Sequence, residues 1–146
     1  MAEWQPGPES SPYDAIGGSE AVRALAEAFY EEMFQSEPEL TRLHTCGPDG
    51  RVAKERRDRF ALFLVGWLGG PQDYMAQHGH PRLRMRHATV PIDSSMRDAW
   101  VRCMAAAMEK KSIPPAVQAY LRPQFAQVAD FLRNVLDSED ESSRPP

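Results

Sequence analysis

The sequence predicts an all-helical domain, and three observations predict it. Apolar residues recur at intervals of three and four, as in Val22, Leu25, Ala26, Phe29 and Met33, which lays them along one face of an α-helix. Sustained two-residue alternation, the mark of a half-buried strand, is rare. Glycine and proline punctuate the periodic segments at Gly17-Gly18, Pro38, Gly47-Pro48, Gly69-Gly70-Pro71 and Pro114-Pro115, where helices stop and start.

Each element follows from local chemistry. A short helix is expected over Tyr13–Ile16, closed by the glycine pair. Ser19 stands where an N-cap belongs, ahead of the helix that carries the Val22–Met33 stripe. Pro38 opens a short helix to about Leu43, and a loop follows over residues 44–50. Arg51 to Leu68 reads as a long helix with Val52, Phe60, Phe63, Leu64 and Trp67 facing inward. Residues 72–90 are mixed and contain short helical pieces. Asp93 or Ser94 caps a helix to about Lys111, with Met96, Ala99, Trp100, Cys103, Met104 and Ala107 on one stripe; Lys110 and Lys111 complement its dipole. Pro114-Pro115 starts the last helix, with Val117, Leu121, Phe125, Val128, Leu132 and Val135. Pro123 lies inside it and is expected to kink or split it.

The 146 residues suit one domain, expected over residues 12–137. Polar stretches at 1–11 and 138–146 lack periodic apolar residues and read as flexible tails. The net charge of −4 is dispersed, which argues against nucleic acid as the main partner. No basic start runs into an apolar core as in a signal peptide, and no apolar run approaches the roughly 20 residues that cross a bilayer. A cytoplasmic protein without membrane partners is expected. Cys46 and Cys103 are too few for a disulfide framework, and no HxxxH or CxxC pair favours zinc.

The segment from Gly79 to Trp100 carries the chemistry. His87 follows the alternating series Arg82, Arg84, Arg86. A single histidine is a common protein ligand of haem iron whose other face stays open; a carbonyl near Leu83 would fix its second nitrogen. Taken alone, His87 also reads as a solvated histidine on an arginine-rich helix, the commoner case. Arg84, one turn before it, and Arg59 on the earlier helix suit a carboxylate partner, or serve solubility. Tyr30 and Trp100 carry donors that suit a polar ligand; as plain core aromatics their polar tips would still need partners. His44, ending the third helix, would hydrogen-bond a ligand or bind iron if near a haem, and is otherwise a loop histidine.

Taken in order, these segments resemble the truncated haemoglobins, most closely their second group. The similarity runs from Tyr13 to about Leu136 through Tyr13-Asp-Ala-Ile-Gly-Gly18, Ala28-Phe-Tyr30, Trp67-Leu-Gly-Gly-Pro71, Gly79-His-Pro-Arg-Leu-Arg-Met-Arg-His87 and Arg97-Asp-Ala-Trp100. The resemblance implies a two-over-two helical sandwich around haem b (iron protoporphyrin IX). It implies His87 as proximal ligand and Tyr30 and Trp100 as distal polar residues. Phe60, Phe63 and Leu64 would line the pocket, Tyr74, Arg59 and Arg84 would lie near the propionates, and Arg56 falls at a distal gate position. His44 stands where the family has tyrosine or phenylalanine, with Leu43 as the alternative occupant because the interval is one residue longer. The implied activity is reversible binding of dioxygen or another diatomic gas by a monomer or homodimer, with no catalytic residue. A haem enzyme acting on peroxide or nitric oxide is the alternative, and its reductase would be a separate protein because no flavin or nicotinamide motif is present. A haem-free helical interaction domain leaves the ordered match unexplained.

Overall fold

The computed structural model describes residues 10–79 and 92–133. His87 and Arg84 lie outside them, as do His80, Arg82, Arg86, Val135 and most of both expected tails. Among the described residues there are seven helices and no strand: α1 (Pro12–Ile16), α2 (Ser19–Ser36), α3 (Pro38–Arg42), α4 (Lys54–Trp67), α5 (Asp73–His78), α6 (Ser94–Lys110) and α7 (Pro115–Phe131). None of the described helices is long and apolar enough to cross a membrane.

Ser11 starts α1 by a reciprocal cap. Its hydroxyl accepts from the Asp14 N–H at 3.1 Å, and the Asp14 carboxylate accepts from the Ser11 N–H at 3.4 Å. Such caps are worth about 1 kcal/mol. The next boundary falls one residue earlier than expected. Gly18, at φ 91°, occupies the cap of α2, and Ser19 is the first helical residue. The Ser19 hydroxyl is hydrogen-bonded instead to that of Tyr13, at 2.8 Å.

The long helix begins at Lys54 rather than Arg51. Residues 51–53 are engaged by the preceding loop: Gly47 N–H donates to the Arg51 carbonyl and Ala53 N–H to the Thr45 carbonyl, each at 2.8 Å, around an antiparallel Cys46–Val52 bridge. Val52 is buried as expected, but from this bridge rather than from a helix. Asp93, not Ser94, caps α6, its carboxylate accepting from Met96 N–H at 2.9 Å. Pro123 does not split α7, which runs unbroken through it. Leu121 and Phe125 on either side are both buried, and their burial, about 1.5–3 kcal/mol each, outweighs one missing backbone bond.

Helix α2 packs on α4 and on α6, and α6 packs on α7. Two helix pairs thus lie over one another, the two-over-two arrangement the resemblance implied. Val22, Leu25, Phe29 and Met33 of α2 meet Leu64 and Leu68 at the end of α4, Met104 and Met108 of α6, and Val117 and Leu121 of α7 in one core. Helix α1 closes the end of α4, with Tyr13 N–H donating to the Leu68 carbonyl at 2.9 Å. Glycine is required at position 70 there, because a Cβ would stand 2.4 Å from the Tyr13 ring.

Candidate ligand pocket

Between these elements lies a cavity of about 520 Å³. Its α4 wall is Arg56, Arg59, Phe60, Phe63, Leu64 and Trp67, at the spacing of one helix face. Tyr30 enters from α2, Leu40 from α3, and Leu43, His44 and Thr45 from the segment that follows it. Tyr74 comes from α5, Met96, Arg97 and Trp100 from α6, and Phe125, Val128 and Ala129 from α7, with Ile92 and Leu132 completing the lining. Arg56 and Thr45 are exposed, so the cavity reaches the surface at this edge.

The polar groups of the wall are few and placed. Tyr30 is only 8% exposed, hemmed edge-on by Phe29 at 5.1 Å and Phe60 at 5.6 Å. Its hydroxyl has no hydrogen-bond partner among the described residues. Tyr30 lines the cavity, and its hydroxyl is the polar group it can present there. Burial, with Glu27 adding and Arg57 opposing, pushes its ionisation far above the ordinary tyrosine range; it remains a neutral O–H donor. Trp100 lines the cavity as well, and its indole N–H is the donor it can offer there. Its ring packs edge-on against Phe29 at 5.2 Å and leans on Phe125 at 5.8 Å.

His44 is fixed by its Nδ1, which lies 2.9 Å from the Leu40 carbonyl. A carbonyl only accepts, so Nδ1 carries the proton and Nε2 is the acceptor nitrogen. Tyr74, 5% exposed, stands edge-on to Phe63 at 5.8 Å. Arg56 and Arg59 line the cavity with no ion pair among the described residues. Arg97 differs: its Nη1 meets Asp130 at 2.7 Å and its Nε meets Asp98 at 3.0 Å.

Tyr30, Trp100, His44, Phe60, Phe63, Leu64, Arg59, Tyr74 and Arg56 therefore share one cavity, while His87 and Arg84 lie outside the described residues. Sequence reasoning missed Thr45, Ile92 and Arg97 as lining residues. It assigned Phe125, Val128 and Leu132 to the core, and their stripe on α7 was the available signal.

A family model described as bacterial-like globin matches residues 11–136. The chain is 34% identical over 134 residues to the group 2 truncated hemoglobin YjbI of Bacillus subtilis (strain 168), covering 92% of this chain and 96% of that one. Among solved structures it is similar to the group II 2-on-2 hemoglobin of Agrobacterium tumefaciens, with 30% identity, TM-score 0.79, and 91% and 100% of the two chains covered. It is also similar to the truncated oxygen-avid haemoglobin of Bacillus subtilis, with 34% identity, TM-score 0.75, and coverage of 86% and 100%. An aromatic-walled cavity between the packed helices is what such a chain needs for its prosthetic group. The chain belongs to the bacterial-like globins and, within them, to the group II truncated haemoglobins: it is a haem-binding globin that takes a diatomic gas such as dioxygen.

Proposed function

We propose that this cavity holds haem b through His87, and that Tyr30 and Trp100 donate hydrogen bonds to dioxygen on the opposite face. The haem supplies the iron position at which the gas binds. The residues present fit such a group. The cavity lies within the usual size range of cofactor sites. Phe60, Phe63 and Leu64 offer the flat apolar wall a porphyrin requires. Arg56, Arg59 and the Tyr74 hydroxyl are cations and a donor without ion-pair partners among the described residues, suited to the two propionates; Arg84 is assigned the same role. The working unit on this reading is residues 12–137, re-reduced by a separate reductase.

One observation carries the distal assignment. Tyr30 lines the cavity with its ring walled by Phe29 and Phe60, and its hydroxyl is a neutral donor. Dioxygen in such a site draws partial negative charge, so a directed donor slows its release, whereas an apolar wall does not. The Bacillus subtilis relative is described as oxygen-avid, and we carry that character to this chain. His44, with Nε2 as its acceptor nitrogen, adds polarity beside Tyr30 without adding a further neutral donor. Stopped-flow release of dioxygen from Tyr30→Phe and Trp100→Phe tests the assignment; release at the parent rate in both variants would sink it.

A further inference from the structure

Helix α2 is tied to α4 and the segment before it by a ladder of opposite charges. Arg23, Glu27 and Glu31 follow one another at four-residue steps along one face of α2. Arg23 pairs with Asp58 at 2.9 Å, Glu31 with Arg51 at 3.2 Å, and Glu27 with Arg57. The middle rung differs from the outer two. Arg57 is the least exposed cation of the ladder, its side chain 26% accessible against 52% for Arg23 and 43% for Arg51. Its Nε also donates to the Val52 carbonyl at 3.0 Å.

That second bond reaches the cavity by a short route. Val52 is bridged to Cys46, and the neighbouring Ala53 N–H holds the Thr45 carbonyl. Thr45 and His44 line the cavity. Tyr30 stands one turn beyond Glu27 on α2, and Phe60 one turn beyond Arg57 on α4. One guanidinium, carried on α4, therefore grips α2 and the segment before α4, and all three supply the cavity wall close by. We propose that Arg57, held by Glu27, is a positioning residue that sets where the Tyr30 hydroxyl and the His44–Thr45 segment stand against the bound gas. The opposed electrostatic influences of Glu27 and Arg57 on Tyr30 agree with this closeness. The proposal rests on the donor role assigned to Tyr30 and extends it to a residue outside the cavity lining.

The test is a double-mutant cycle on the haem-loaded full chain: dioxygen release from Arg57→Gln, Tyr30→Phe and the double variant, with Arg57→Lys as the conservative replacement. A second readout is amide exchange at Ala53 in the haem-free full chain. Arg57→Gln should speed release roughly two- to tenfold, the range of one lost hydrogen bond. It should add little in the Tyr30→Phe background, and Arg57→Lys should recover part of the effect. Exchange at Ala53 should accelerate in Arg57→Gln, while core amides of α7 stay protected. Unchanged release, or equal acceleration in both Tyr30 backgrounds, would overturn the proposal. If Tyr30→Phe alone leaves release unchanged, the donor reading fails; Ala53 exchange then still decides the clamp, and retained protection refutes it. Should Arg57→Gln not fold, Glu27→Gln, a change at the more exposed partner, is read in the same cycle with the same expected signs.

Discussion

The Tyr30 ring stands perpendicular to the His44 imidazole, with centroids 6.0 Å apart and 89° between the planes. The two side chains reach the cavity from different elements and play unlike parts: Tyr30 offers a proton, and His44 has committed its proton to Leu40. The imidazole therefore does not replace the phenol as a neutral donor. Tyr30→Phe should speed dioxygen release by up to about tenfold, from loss of about 1 kcal/mol. Trp100→Phe should act in the same direction. Carbon monoxide, which draws less charge, should be released at nearly the parent rate in both variants. Equal changes for the two gases would point to altered access rather than a lost hydrogen bond.

Gly70 controls how closely α1 can dock. Its substitution by alanine places a Cβ 2.4 Å from Cδ1 of Tyr13, and the ring is held by the Ser19 hydroxyl at 2.8 Å. Gly70→Ala should cost roughly 1–3 kcal/mol, the usual penalty of overpacking. Urea unfolding measures this, and Tyr13→Ala in the same chain should relieve part of it. Full stability in Gly70→Ala would show that α1 yields freely.

The helical frame was legible in the sequence because its signals are local. The Val22–Met33 stripe, the Asp93 cap and the glycine and proline boundaries all act within a turn or two. The start of α4 was not legible: Arg51–Ala53 reads as a first helical turn, and only pairing with Thr45–Gly47 across the loop draws it out. That α7 runs unbroken through Pro123 was not legible for a related reason, since burial of Leu121 and Phe125 is a tertiary effect. Within the site, Tyr30, His44 and Trp100 were chosen as donors and ligands, and they share the cavity. Phe125, Val128 and Leu132 were read as core, because an apolar helix face has the same spacing whether it meets a neighbouring helix or a cavity. Arg57 gave no sequence signal at all; its two partners come from a distant helix turn and from a loop carbonyl.

Cys103 should make stability fall at alkaline pH. Burial, with smaller contributions from Glu37 and Glu32, pushes its thiol up to about 12 from an ordinary 9.0. The folded chain therefore keeps a proton that the unfolded chain loses between these values, and unfolding is favoured as pH rises through that window. Cys103→Ala should flatten the alkaline decline in urea midpoint even if it lowers the midpoint at neutral pH. The thiol itself should resist alkylation in the folded protein, whereas exposed Cys46 should react. An unchanged alkaline slope in Cys103→Ala would show that the Cys103 thiol does not contribute to the decline.

Arg59 is assigned to a propionate, and its replacement should therefore act on haem retention rather than on gas release. Arg59→Gln should lose haem to an excess of an acceptor apoprotein several times faster than the parent, consistent with loss of one charge-assisted contact. The effect should weaken at high salt, because the group is partly exposed. Equal haem loss at low salt would assign Arg59 to solubility.

Haem ligation by His87 is read from the absorption spectrum of the haemin-reconstituted protein in its ferric, reduced and carbon monoxide-bound forms, beside His87→Ala. A Soret band should shift on adding carbon monoxide to the reduced parent and should be lost or altered without His87. An identical set of spectra from His87→Ala would contradict the assignment of His87, and no Soret band in the parent would contradict the pocket itself.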